Sequence, residues 1–138
     1  MFVDPTKILD VTIYYKRKGY LFVAYSKKDF NKLNLTTEQK EDYKELNAKM
    51  KILTWGMNND LNESAMTEDN EGNRKFNYKM FKENKLQKLL DSWDAKDESD
   101  NPVPINANTL SKLAPSIAEV ILTTYDDLSG TSEEELGN

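Results

Sequence analysis

The 138-residue chain contains no cysteine and no histidine. Without cysteine there is no disulfide framework, and so no positive sign of an oxidising compartment. Without either residue there is no Cys or His nucleophile or base, no Cys/His zinc site and no haem ligand of the usual kind. Glycine is scarce, at five residues, and none of these builds a phosphate-cradling loop, a Walker lysine motif or a G-x-S-x-G elbow. No apolar run approaches the roughly 20 residues of a membrane span. The start, 1-MFVDPTKILD-10, lacks the charged-then-greasy order of a signal peptide. Together these absences predict a soluble chain, intracellular by synthesis.

Hydrophobic residues make up 38% and charged residues 31%, which predicts one domain with a small core and a well-solvated surface. The net charge is −5, from 24 acids and 19 bases. An acidic balance opposes non-specific nucleic-acid binding, which needs a basic face to displace counterions. Bases gather loosely near the beginning, at Lys16, Arg17, Lys18, Lys27 and Lys28, and acids near the end. A solvated turn and an acidic tail account for both.

What is present begins with a β signal. Val11–Tyr15 and Tyr20–Tyr25 are rich in β-branched and aromatic residues and flank 16-KRKG-19, a hairpin with glycine in its turn. Val11, Ile13 and Tyr15 then share one face, with Thr12 and Tyr14 on the other. A lone hairpin is marginal, so it must pack on helices or pair with another chain. Phe2 and Val3 read as a further short strand stopped by Pro5.

Helical signals follow. Thr36 or Thr37 is an N-cap with acids after it, and Leu46, Met50, Leu53 and Met57 fall at i, i+4, i+7 and i+11. Gly56 interrupts that stripe and marks close packing, a kink or a break between helices. Residues 67–74 read as a turn. Leu86, Leu89, Leu90 and Trp93 form a second stripe, which Phe76, Met80 and Phe81 extend backwards. A polar loop, 94-DAKDESDNPVP-104, leads to Asn106 as N-cap of a short helix, and Pro115 opens the last helix. There Ile117, Val120, Ile121, Tyr125 and Leu128 line one side. The expected architecture is α+β, a single domain over 1–130. An N-terminal β-hairpin or small antiparallel sheet (1–34) packs with a C-terminal bundle of about four helices (35–130), and 131–138 is an acidic flexible tail.

Candidate chemistry is thin. Asp91, Asp94, Asp97, Glu98 and Asp100 are dense, but neither they nor Glu68, Asp69 and Glu71 match a calcium loop, and solvated loop acids explain them. Carboxylate pairs suit glycosidase chemistry, but these acids fall in loops and on polar helix faces, away from the shelter that catalysis needs. No catalytic, cofactor or metal residue is assigned. Tyr14, Tyr15, Lys16, Arg17, Lys18, Tyr20 and Phe22 interleave aromatics with bases, as single-strand binders do, and equally as an ordinary hairpin does. Trp55 and Trp93 are core residues or the indole anchors of a protein contact. Met50, Met57, Met66 and Met80 line a core, or a groove for varied apolar partners. The hairpin edge suits strand addition. The partner-binding candidates are therefore Trp55, Met57, Trp93, Tyr14, Tyr20 and Phe22.

Over residues 50 to 130 the chain resembles a group of small bacteriophage proteins encoded among tail genes, the tail assembly chaperones and minor tail-region proteins. The resemblance rests on Leu53-Thr54-Trp55-Gly56 with Asn59 and Asp60. It continues through Leu90, Ser92 and Trp93 and an acidic loop at Asp97 closed by Pro102 and Pro104. Leu110 and Leu113 of the short capped helix follow, then Pro115, Ile117 and Ala118. Where the family's acidic loop often has a glycine, this chain has Ser99-Asp100-Asn101. The resemblance implies no catalytic residues and no cofactor. It implies partners among phage structural proteins, namely the tape measure, tail tube or neck, in the host cytoplasm during assembly. Alternatives are a permanent virion component of neck, tail or baseplate, a homo-oligomer included, and a small regulatory or nucleic-acid-binding protein.

Overall fold

The computed structural model describes residues 1–130, so the expected tail at 131–138 lies outside the described residues. The hairpin forms as its composition dictates. Strand β1 (Ile8–Lys18) pairs antiparallel with β2 (Leu21–Ser26). Lys18 lies opposite Leu21 across a two-residue turn in which Gly19, at φ 67°, supplies the positive φ. Tyr20, the second turn residue, stands fully exposed at the hairpin tip. Phe2 and Val3 form no strand. Asp4 turns the chain just after them, accepting from the backbone N–H of Thr6 at 2.9 Å and from its hydroxyl at 2.6 Å.

The long helix expected after Thr36 is broken into three elements. Thr36 does cap a helix, α2 (Thr37–Glu41), through a full capping box with Gln39. The chain then runs into a strand, β3 (Lys44–Lys51), and only afterwards into α3 (Trp55–Ser64). In β3 the residues Leu46, Ala48 and Met50 alternate with exposed Glu45, Asn47 and Lys49, so the period is two. β3 lies along β1, with Val11 opposite Ala48 and Ile13 opposite Leu46. A spacing of four residues lies on one face in a helix and in a strand alike, and Ala48 between Leu46 and Met50 decides for the strand.

The second expected helix also ends early. It spans Tyr78–Leu89 as α4, capped by the side chain of Asn77, and the chain passes directly into β6 (Leu90–Trp93). Phe76 belongs instead to β5 (Arg74–Phe76), which pairs with β4 (Met66–Glu68) in a separate two-stranded ribbon. The main sheet runs β2-β1-β3-β6, antiparallel throughout. A short helix, α1 (Lys27–Lys32), follows β2 and lays Phe30 on Tyr14, with ring centroids 4.3 Å apart. The last two helices, α5 (Ala107–Ser111) and α6 (Pro115–Ser129), begin at Asn106 as cap and Pro115 in the first turn, as their sequences require.

One face of the sheet carries the core. Val11, Ile13, Leu46, Ala48 and Met50 meet Leu86 and Leu89 of α4 and Ile117, Ile121, Leu122 and Tyr125 of α6. Each fully buried aliphatic side chain contributes roughly 1.5–3 kcal/mol. Leu128, expected on that side, is exposed, and Leu122 takes the place. Two ion pairs clamp α4 to α6, Lys82 to Glu119 at 2.5 Å and the more buried Lys85 to Asp126 at 2.8 Å. The opposite sheet face is divided: Thr12, Asn47 and Asp94 are linked by hydrogen bonds of 2.8 to 2.9 Å, while Tyr14 packs on buried Phe30 of α1, which also meets Tyr43. The architecture is thus α+β, with the hairpin extended by β3 and β6 and four helices, α3 to α6, in the C-terminal part.

Candidate functional site

The corner between β3 and α3 is held from inside. Tyr125, buried on α6, donates its hydroxyl hydrogen to the Lys51 carbonyl at 2.9 Å and accepts the Leu53 N–H at 2.9 Å. Burial raises the phenol pKa above its ordinary value, so the hydroxyl keeps its proton at neutral pH. Two residues on, the Thr54 hydroxyl accepts the Met57 N–H at 3.1 Å and caps α3. Leu53 and Met57 pack against the core cluster. The backbone either side of Trp55 is therefore fixed, yet Trp55 itself is 83% exposed.

Gly56 follows it with no reason inside the fold. Its φ is not positive, and a Cβ there would meet nothing closer than the Thr54 hydroxyl at 4.0 Å. Gly56 is the second residue of α3, in its first turn, and it leaves bare backbone beside the exposed indole. Asn58 and Asn59 continue the surface without charge. Asp60 is paired with Lys88 at 3.6 Å.

The other candidates do not gather around Trp55. Trp93 lies on β6, half-buried against the core, its indole N–H donating to the Val103 carbonyl at 2.8 Å. Phe22 packs against the core beside Tyr15, and its carbonyl accepts the Ser116 hydroxyl at 2.6 Å. That bond occupies part of the β2 edge considered for strand addition. Tyr14 faces the other side of the sheet, stacked on Phe30. Met50 is 0% exposed within β3, so it lines no groove with Met57, Met66 and Met80.

A cavity of about 330 Å³ lies between α4, α5 and α6. Leu86, Leu110, Leu113, Ala118 and Leu122 line it, with Glu83 and Glu119 among its polar residues. No sequence signal marks it, because α4 is brought from a distant part of the chain against α5, α6 and the short connection between them.

The acidic segments fold as turns. Asp69 Oδ1 accepts the N–H groups of Glu71 and Asn73, each at 2.9 Å, and Asp97 Oδ1 accepts those of Ser99 and Asn101, each at 2.9 Å. The Asn73 N–H is the chief reason the Asp69 carboxyl sits below the usual carboxylate range. In the first turn the left-handed position is Gly72 (φ 81°), and in the second it is Asp100 (φ 65°). Asp100 thus stands where the turn geometry favours glycine. Asp100→Gly is expected to raise stability by about 0.5–1 kcal/mol, since the exposed Lys96–Asp100 pair at 3.6 Å contributes little. Urea unfolding of the variant checks it.

Among the described residues, no three metal-ligating side chains are grouped to hold an ion, and no helix is long and apolar enough to cross a membrane. Compared with protein-family models, curated proteins and solved structures, the chain matches none.

Proposed function

We propose that this chain works by binding other polypeptides in phage tail morphogenesis, holding a hydrophobic tape measure or tail tube subunit before it polymerises. In this reading it carries out no reaction and acts in the host cytoplasm. The observation that carries the reading is Trp55. An indole left in solvent on a backbone fixed by Tyr125 and Thr54 is a preorganised anchor, and tryptophan is among the side chains most enriched at the energetic centres of interfaces. The stretch also carries the Leu53-Thr54-Trp55-Gly56 resemblance to tail assembly chaperones. The bare backbone at Gly56 supports a partner that approaches closely there.

The test joins mass spectrometry of purified virions to a pull-down against the products of neighbouring genes. The reading expects capture of a tape measure or tube subunit and absence from finished particles. Retention in particles would assign the chain to the neck, tail or baseplate instead. If neither particles nor those proteins hold it, both assembly roles fail.

A further inference from the structure

We propose that the first half of β1, residues 8–12, takes an extended segment of a partner polypeptide as an added strand. The register leaves this edge open. β3 pairs with residues 8–15 of β1, but β2 pairs only with residues 13–18. Past Ser26, which lies opposite Ile13, the chain leaves the sheet as α1. In an antiparallel ladder alternate residues turn both N–H and C=O to the same neighbour. Lys18 closes the two-residue turn against Leu21, so Lys18, Lys16 and Tyr14 turn theirs to β2. The same alternation turns both backbone groups of Ile8 and Asp10, and the N–H of Thr12, to the side where β2 has ended. Among the described residues none of these groups meets a turn, a loop or a side chain.

Backbone chemistry selects the class of occupant. Donors and acceptors alternating over about 17 Å, five residues of strand, match the repeat of another extended backbone. Natural edges are blunted by proline or by bulges. Residues 8–12 hold no proline, and their ladder to β3 runs without a register shift. A second copy is a poor occupant. Two copies paired antiparallel over residues 8–12 would set Asp10 against Asp10, and like charges directly opposite destabilise a sheet. Chains of net charge −5 also repel one another.

Side chains narrow the choice to an acid-flanked segment with apolar residues at alternate positions. Leu9 and Val11 share the core face of β1, so every second residue of the added strand extends that layer. Lys7 precedes the edge, and Lys27 and Lys28 follow Ser26 at its other end. Among the described residues none of these three lysines is in an ion pair. Residues 1–51 hold eleven bases and seven acids, so the part that carries the edge is basic although the whole chain is acidic. Acids at the ends of the segment therefore meet unpaired cations. Ile8 lies opposite Lys51, four residues before Trp55. The proposal goes beyond the Trp55 reading, because it stands on the edge alone.

Residue-resolved amide hydrogen exchange of the full chain, read by NMR, tests the proposal. The probe is a synthetic peptide, Val-Thr-Val-Thr-Val with two aspartates at each end. In the free chain the N–H groups of Ile8, Asp10 and Thr12 should exchange freely, while those of Leu9 and Val11, turned to β3, are protected. The peptide should slow exchange at the first three. A version with lysines in place of the aspartates should bind about fivefold more weakly or worse at low salt. Asp10→Pro removes an outward N–H, which an edge strand tolerates, and an exposed pair to Lys49 at 3.0 Å. It should keep the fold and lose peptide binding by about tenfold or more. Ile8→Pro takes its place if Asp10→Pro does not fold. An Asp10 N–H protected in the dilute free chain, a peptide that leaves all three amides exchanging, or a folded proline variant that binds like the parent overturns the proposal. Equal binding of the two peptides overturns the acidic occupant. Protection that grows with the chain's own concentration, without peptide, seats a second copy on the edge and overturns it too. No tail protein is used, so failure here leaves the Trp55 reading standing, and a failed pull-down leaves the edge standing.

Discussion

Tyr125→Ala is expected to lower stability by about 4 kcal/mol, the range for deleting a buried ring, and Tyr125→Phe by about 2 kcal/mol. The phenylalanine variant keeps the ring in its place in the core cluster, so it isolates the hydroxyl. Its loss leaves two backbone groups without a partner, the Lys51 carbonyl and the Leu53 N–H, and each such group costs about 1–3 kcal/mol where water cannot replace the bond. Partial access of water at the half-buried corner brings the sum to the lower value. Urea unfolding of both variants separates the two contributions. The phenylalanine variant should also loosen the corner, which steady-state fluorescence anisotropy of Trp55 would register as a fall. A Tyr125→Phe chain as stable as the parent would mean that the corner is held by packing alone.

The two tryptophans should respond very differently to truncation. Trp93→Ala is expected to cost about 3 kcal/mol, the low end for a core indole, because the ring is only half-buried and its N–H bond to Val103 is lost with it. Trp55→Ala should change stability by less than about 0.5 kcal/mol, as surface substitutions do. Since the indole rests on almost nothing in its own chain, its removal leaves no cavity. Parallel chemical denaturation checks the contrast. A large loss at Trp55 would show that the ring packs against its own chain in solution, and the anchor assigned to it would then be gone.

Those two residues also mark how far the sequence is legible. Both stand in similar surroundings along the chain, after apolar residues and before polar ones, and nothing local separates the exposed ring from the packed one. What separates them is tertiary. Trp93 sits on a strand beside Ala48 with a carbonyl waiting at Val103, and Trp55 sits on the first turn of a helix facing out. Signals set by local chemistry read correctly: the hairpin around Gly19, the cap at Thr36, the cap at Asn106 and Pro115 at the start of α6.

Where a pattern serves two structures, the reading failed. Leu46 and Met50, four apart, suit a helix stripe and a strand face equally, so their spacing alone points to a helix where β3 forms. No glycine or proline separates Leu89 from Leu90, so the passage from α4 straight into β6 carries no mark. Helix α1 did have a signal, Ser26 with Asp29 three residues on, and the Ser26 side chain caps it. The groove beneath α5 is invisible in one dimension, because its leucines come from positions 86, 110, 113 and 122.

The central claim is that the chain acts on other polypeptides through a solvent-facing indole carried on a fixed backbone. The most direct measurement is a pull-down of the tape measure and tail tube proteins with the parent chain and Trp55→Ala side by side, at equal folded concentration. The account predicts capture by the parent and at least a tenfold loss with Trp55→Ala, about 1.4 kcal/mol or more, as an anchor residue requires. Equal capture by both chains, or capture by neither, would contradict it.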